Sequence, residues 1–222
     1  MDHDELFDLC DRDGRRLGQT KVRRDVHRDG DWHRSFHCWV VATGPPVPGI
    51  VLQRRAANKE TWPSLWDVSV AGHYSAGEGI EGGLREVREE LGLDAAASDL
   101  IHVGWRREEV AFDNGIIERE VQDVYVLLRS LSLTDVRPTA PWEVSGVAIV
   151  PAPTLRMLAR SGSASAVVPG GPLGPDGIVR VGTMEIRHDT LVPRAGNYYG
   201  KATRLCEALA SGAATVRRRR WW

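Results

Sequence analysis

Cysteine is scarce in this chain: three residues in 222, Cys10, Cys38 and Cys206, with no C-x-x-C pair among them. An odd, scattered set excludes a disulfide framework and a cysteine-based zinc site, and predicts free thiols in a reducing compartment. Long apolar runs are missing too. No window approaches the roughly 18 consecutive apolar residues of a membrane-spanning helix, so no membrane partner is expected. Net charge is nearly absent, at -1, which gives no overall attraction to nucleic acid or an anionic surface. Any phosphate binding must therefore come from a local site. The first residues, MDHDELFDLCDRDGRRLG, lack the basic start and apolar core of a secretory leader. There is no internal repeat. These absences together predict a soluble, cytoplasmic protein. What is present is ordinary for one sizeable domain: 42% hydrophobic and 27% charged residues.

Along the chain, the segment up to Thr20 suggests a short strand, a turn at Asp13-Gly14 and a second strand. Ser35 to Ala42 (SFHCWVVA) reads as a strand rich in aromatic and β-branched residues. A proline-rich tip, Gly44 to Gly49, separates it from a second strand at Ile50 to Gln53. A polar loop from Arg54 to Trp62 follows, then an apolar stretch from Trp66 to Val70. Glu81 to Leu91 has helical spacing and Gly92 is a fitting stop. Strands are expected at Ile101 to Trp105, Glu108 to Phe112, Glu120 to Leu128 and Gly146 to Val150. Pro153 to Ala159 and Tyr198 to Ala210 read as helices, and Ser161 to Asp176 as a Gly/Ser/Pro-rich loop. Strands interspersed with a few helices predict an α/β layered domain.

The chemistry concentrates on the Glu81 to Leu91 helix. Glu86 lies one turn from both Glu89 and Glu90, at i+3 and i+4, so the three carboxylates converge on one face. Their mutual repulsion would be removed by hard divalent cations such as Mg²⁺ or Mn²⁺, which take carboxylate oxygens and bridge to phosphates. Arg85, four residues from both Glu81 and Glu89, is placed to brace the array. Leu84, Val87 and Leu91 form the apolar stripe. The bland alternative is a solvated, salt-bridged helix face.

The order of glycine loop, acidic helix and Leu-Gly-Leu ending resembles the Nudix hydrolase family, whose box reads G-x5-E-x7-R-E-U-x-E-E-x-G-U, with U apolar. Arg85 to Leu93 (REVREELGL) matches the second half in full, and Gly72 and Glu78 match the first. Six residues, rather than seven, separate Glu78 from Arg85. The resemblance implies a Nudix fold, an α/β/α sandwich around a mixed β-sheet, here with a C-terminal helical extension. It divides the chain into an N-terminal lead-in (1–30), a Nudix domain (31–160), and an extension with a basic tail packed on that domain (161–222). It implies Glu89 and Glu90 as main ligands of Mg²⁺ or Mn²⁺, Glu86 as third ligand or water-activating base, and the Gly72 carbonyl completing the shell. A further acidic ligand is expected from Glu118 or Glu120, with Glu120 favoured.

The flanks, Leu52 to His73 and His27 to Arg34, are similar to the isopentenyl-diphosphate isomerase-like branch. In that branch upstream histidines, a loop histidine and two glutamates hold a metal, an arrangement His27, His33, His73, Glu118 and Glu120 echo. The isomerase also needs a cysteine two residues before the loop histidine, where this chain has Ala71. Its box is degenerate, whereas R-E-U-x-E-E is intact here, so hydrolysis of a small-molecule diphosphate is the expected activity. An isomerase and a non-catalytic Nudix ligand-binding module are the alternatives. Arg54, Arg55, Lys59 and His73 are the expected substrate contacts. Trp62, Trp66 and Trp142 read as core or loop anchors. The tail Arg217 to Trp222 reads as a disordered terminus and no nucleic-acid partner is expected. A homodimer fits proteins that resemble this one.

Overall fold

Residues 6–22 fold as an antiparallel hairpin, β1 (Leu6–Cys10) and β2 (Arg16–Val22). The Asp11 carboxylate ties its turn by accepting from the amides of Asp13 and Arg15. The computed structural model describes residues 5–44, 48–160, 162–212 and 219–220. A helix that the apolar pattern does not announce, α1 (Arg23–Asp29), follows the hairpin and ends on Gly30 in the left-handed region. Seven residues with Val26 and His27 as the buried pair are too short for a periodic signal.

β3 (His33–Ala42) is the centre of the fold. Trp39 and Val41 point into one core, while Phe36, Cys38, Val40 and Ala42 point into another. A strand buried on both faces needs a continuous apolar run, which is why SFHCWVVA does not alternate. β3 runs parallel to β8 (Ile117–Arg129), which pairs antiparallel with β7 (Leu100–Ala111). On its other edge β3 holds three partners in turn, the first being β1, where Leu9 pairs with His33. β4 (Gly49–Arg55) pairs with its C-terminal end through Val41 and Ala42; β6 (Val70–His73) pairs with Ser35 to Cys38. β4 then diverges, pairing with the short β5 (Trp66–Asp67) and with β9 (Val144–Val150). The sheet is thereby split between β4 and β6.

Helix α2 (Ile80–Leu91) packs on the Phe36 side through Val87 and Leu91. α3 (Ala152–Leu158) and α4 (Tyr198–Ala210) cover the Trp39 side. This is the expected α/β/α sandwich around a mixed sheet, and the C-terminal helical extension forms part of one outer layer. Gly92 takes the left-handed conformation and caps α2, its amide donating to the Arg88 carbonyl.

Two expectations are corrected. The segments 101–105 and 108–112 are one strand, β7, with an irregularity at His102–Gly104. The expected loop 161–176 contains β10 (Ser165–Pro172), which joins β9 to β11 (Gly182–Arg187). Its glycines serve packing: a Cβ on Gly171 would lie 2.0 Å from the Arg180 carbonyl oxygen. The tail Arg217 to Trp222 lies outside the described residues except for Arg219–Arg220, whose backbone pairs with β7. Among the described residues no helix is long and apolar enough to cross a membrane.

Candidate active site and metal centre

A cleft of about 580 Å³ opens where β4 and β6 part. Arg55 lines it from one branch, Ala71, Gly72 and His73 from the other, and Ser35, His37, Glu118 and Glu120 from β3 and β8. Glu86 and Glu89 reach the same cleft from α2. Glu86 does so because Gly72 has no side chain: a Cβ there would lie 2.1 Å from the Glu86 Cδ. The two glycines at the start of α2 are also explained by close approach. A Cβ on Gly83 would meet the Phe36 ring at 2.4 Å, and one on Gly82 would meet Glu78 Oε2 at 2.5 Å.

Arg85 gathers the carboxylates. Its Nη1 donates to Glu86 Oε1 (2.9 Å) and Glu89 Oε2 (3.3 Å), and its Nη2 to Glu78 Oε2 (3.2 Å) and the His73 carbonyl (3.4 Å). Glu78 thus acts as an anchor despite the shortened spacing, and it replaces Glu81, the partner expected from helix spacing. Burial, reinforced by Glu89 and Glu143, pushes the Glu86 carboxyl up to about 7 against the pull of Arg85 and Lys59. Glu90 is not among the residues that line the cleft. It lies buried behind, where its Oε2 accepts from Gln53 Nε2 (2.7 Å) and the Ala71 amide (2.8 Å). Burial and the neighbouring Glu86 raise its carboxyl well above the usual range.

Of the expected substrate contacts, Arg55, Lys59 and His73 line the cleft. Arg54 is not brought there; its Nε donates to the Ser64 carbonyl at 2.9 Å. Alternation along a strand sends neighbouring side chains to opposite faces, so Arg54 and Arg55 cannot both serve one cleft. Lys59 Nζ holds Glu143 at 2.5 Å, a carboxylate at the same cleft that the sequence reading missed. Among the tryptophans, Trp66 is core, Trp62 packs edge-on to Phe112 at the cleft, and Trp142 is exposed.

A second donor set lies beside the first. One ring nitrogen from each of His27, His33 and His73 falls within 4.8 Å of the others. His33 Nδ1 lies 3.1 Å from the Asp31 carbonyl, an acceptor only, so Nδ1 carries the proton and Nε2 a lone pair. Among the described residues that Nε2 has no hydrogen-bond partner, and it faces Glu120 Oε1 at 3.9 Å. Two acceptors facing each other in a buried site, with His27 Nε2 also unpartnered, are what a cation between them would satisfy. The residues therefore fit a divalent metal. His73 Nε2 lies 2.9 Å from Glu120 Oε1, and Arg23 donates to its Nδ1 at 3.1 Å. Burial lowers His27 to about 2 and His73 to about 3, so both are neutral. With Nδ1 accepting from Arg23, the His73 proton sits on Nε2 toward Glu120, and a bound cation would have to displace it. Burial alone would raise Glu120, but His73, His33 and Gln122 outweigh it and hold the carboxyl well below the usual range. Glu118, two residues away on the same strand face, is pushed up to about 7 by burial and by Glu120.

A buried polar network invisible in the motifs adjoins both sets, and its members Asp67 and Arg194 also line the cleft. Arg194 grips Asp67 with two bonds (2.8 and 2.7 Å) and also binds Glu108. Arg106 holds Gln122 (2.7 Å) and Glu108 (2.9 Å) and lies over the Tyr198 ring at 4.3 Å. The run Arg106-Arg107-Glu108-Glu109 has no apolar residue to mark an inward face; its register opposite Glu120 and Gln122 brings alternate residues inside.

A family model described as the NUDIX domain matches residues 31–167. The chain is 42% identical over 123 residues to an uncharacterized Nudix hydrolase of Clostridium acetobutylicum, covering 55% of this chain and 59% of the relative. It is 39% identical over 127 residues to Nudix hydrolase 3 of Arabidopsis thaliana, covering 56% and 16% respectively. Similarity to an isopentenyl-diphosphate Delta-isomerase of Mycolicibacterium vanbaalenii is 34% over 122 residues, covering 54% and 65%. The chain therefore spans less than two thirds of each of these relatives.

Proposed function

The chain belongs to the NUDIX family, and we propose that it hydrolyses a diphosphate linkage in a nucleoside diphosphate derivative or another organic diphosphate by attack of water. The observation that carries this reading is the Arg85 clamp, which aims Glu86 and Glu89 into a cleft already holding Arg55 and Lys59. Mg²⁺ or Mn²⁺ would be held by Glu86, Glu89 and the Gly72 carbonyl, with Glu90 joining them only on turning from Gln53 and the Ala71 amide, and a further ion by His27, His33, His73 and Glu120. When bound, such cations polarise the diphosphate, lower the pKa of a water and neutralise the leaving phosphate. Arg55 and Lys59 supply charge-assisted donors to phosphate oxygens. Lys59 then exchanges Glu143 for substrate, leaving that carboxylate free to accept a proton. Glu86, with its raised carboxyl, is the other group poised to hold a proton near neutral pH.

The histidine cluster, together with relatives named as isopentenyl-diphosphate Delta-isomerases, favours allylic isomerisation as the second reading. Ala71 counts against it. Its position is that of the cysteine the isomerase chemistry needs, and here only its backbone amide is used, donating to Glu90.

Release of phosphate or nucleotide from a panel of organic diphosphates with Mg²⁺ or Mn²⁺ tests the proposal, comparing wild type with Glu89→Gln. Release that falls at least a hundredfold in the variant supports hydrolysis. Isomerised prenyl diphosphate without phosphate release supports the second reading, and no turnover of any compound overturns both.

A further inference from the structure

The structure assigns to Arg194, a loop residue of the C-terminal extension, the role of a positioning residue that holds Glu120 against the histidine cluster. The inference rests on the reading of Glu120 as a metal ligand and adds to it where the geometry of that ligand comes from. Arg194 lies beyond the family domain, on a segment fixed to the sheet by its own backbone. Leu191 bridges to Trp66 in parallel, the Val192 amide donates to the Trp66 carbonyl (2.8 Å), and the Tyr199 hydroxyl donates to the Val192 carbonyl (3.0 Å). This lays the segment along β5 and delivers the guanidinium to Asp67, the residue after Trp66.

From there the contacts continue without a gap to the histidines. Arg194 Nη2 takes both Asp67 oxygens, and Nη1 donates to Glu108 Oε2. The same Glu108 oxygen accepts from Gln122 Nε2 at 2.8 Å. Gln122 Nε2 also donates to Glu120 Oε2, and Glu120 Oε1 meets His73 Nε2. The amide of Gln122 cannot turn over, because Arg106 donates to its oxygen. The Gln122 amide therefore has one orientation, with its oxygen toward Arg106 and its two protons toward Glu108 and Glu120.

Charge explains why a cation is needed at this place. Asp67, Glu108 and Glu120 are all buried, and burial by itself disfavours each carboxylate. Arg55 approaches Asp67 at 3.7 Å and Arg106 reaches Glu108, but neither spans two of the carboxylates. Arg194 bridges Asp67 and Glu108, so that Glu108 takes one proton of the Gln122 amide and the other serves Glu120. Lysine keeps the charge but not the planar fork that spans two carboxylates. With lysine, Glu108 competes for the Gln122 amide and Glu120 loses its fixed orientation.

The test uses the full chain, with Arg194→Lys and, as a charge-neutral break in the relay, Gln122→Met. The readouts are the ¹⁵N signals of the His73 ring in metal-free protein and the dissociation constant for Mn²⁺ alone, with thermal melting as a check of folding. Folded variants in which the His73 Nε2 proton signal shifts or vanishes, and Mn²⁺ binding weakens about tenfold or more, are expected. Folded variants with a wild-type His73 signal overturn the inference. Wild-type protein that binds no Mn²⁺ overturns the metal reading alone, since the His73 signal still decides the part played by Arg194.

Discussion

Glu86 occupies the space in which a side chain on Gly72 would stand, its carboxyl carbon 2.1 Å from where that Cβ would lie. The glycine is a window in β6 through which a helix carboxylate reaches the cleft, and its place in the motif is steric before it is electronic. Gly72→Ala should push Glu86 aside by an ångström or more while leaving the core intact. Turnover of a hydrolysed diphosphate should fall by about a hundredfold, as displacements of that size cost. Steady-state kinetics beside a melting curve check this; full activity would show that Glu86 has no need of its position.

Gly83 sets two effects against each other. Alanine is better in a helix by about 1 kcal/mol. Its methyl, however, would meet the Phe36 ring at 2.4 Å, and overpacking of a core costs about 1–3 kcal/mol. The steric term should win, so Gly83→Ala should lose up to about 2 kcal/mol in urea unfolding. A stabilised variant would mean that α2 can shift on the sheet.

The raised Glu86 carboxyl has a definite consequence for stability. The folded protein keeps this proton up to about pH 7, whereas the unfolded chain releases it near 4.5. Across that window the folded state binds more protons, so the contribution falls as pH rises and is level outside it. The histidines act in the opposite sense: with His27 and His73 lowered from 6.5, their contribution is lost on acidification. That term is common to wild type and Glu86→Gln and cancels in the difference. In chelator the variant's melting temperature should gain on wild type from pH 4.5 to 7, and Mg²⁺ or Mn²⁺ should close the gap. A difference independent of pH would refute the assignment.

Donor chemistry predicts which ion the histidine cluster prefers. Imidazole nitrogens suit Mn²⁺ or Zn²⁺ better than Mg²⁺, which takes oxygen ligands. Calorimetric titration of metal-free protein should show Mn²⁺ binding at least tenfold tighter than Mg²⁺, and His27→Ala should remove that preference. Equal affinities in wild type would place the bound ion among the glutamates instead.

Much of this was legible before any fold was known. Helical spacing alone placed Glu86, Glu89 and Glu90 together, and the i, i+2 spacing placed Glu118 and Glu120 on one strand face. Both relations depend only on local backbone geometry. The division of labour among the glutamates was not legible, because it depends on what stands opposite. Glu90 is turned toward Gln53 and the Ala71 amide, while Glu86 and Glu89 meet the cleft. Nor does a sequence say that Arg85 chooses Glu78 over Glu81.

Local periodicity, turn residues and the spacing of like charges were therefore set by the chain itself, since each involves neighbours a few residues apart. The partnerships of Arg194 with Asp67, 127 residues away, and of His73 with Glu120, 47 residues away, were decided by tertiary structure. Only the register of β3, β6 and β8, and the docking of the C-terminal segment along β5, bring those groups to hydrogen-bonding distance. Burial then makes their charges count, because groups removed from water must find partners in each other.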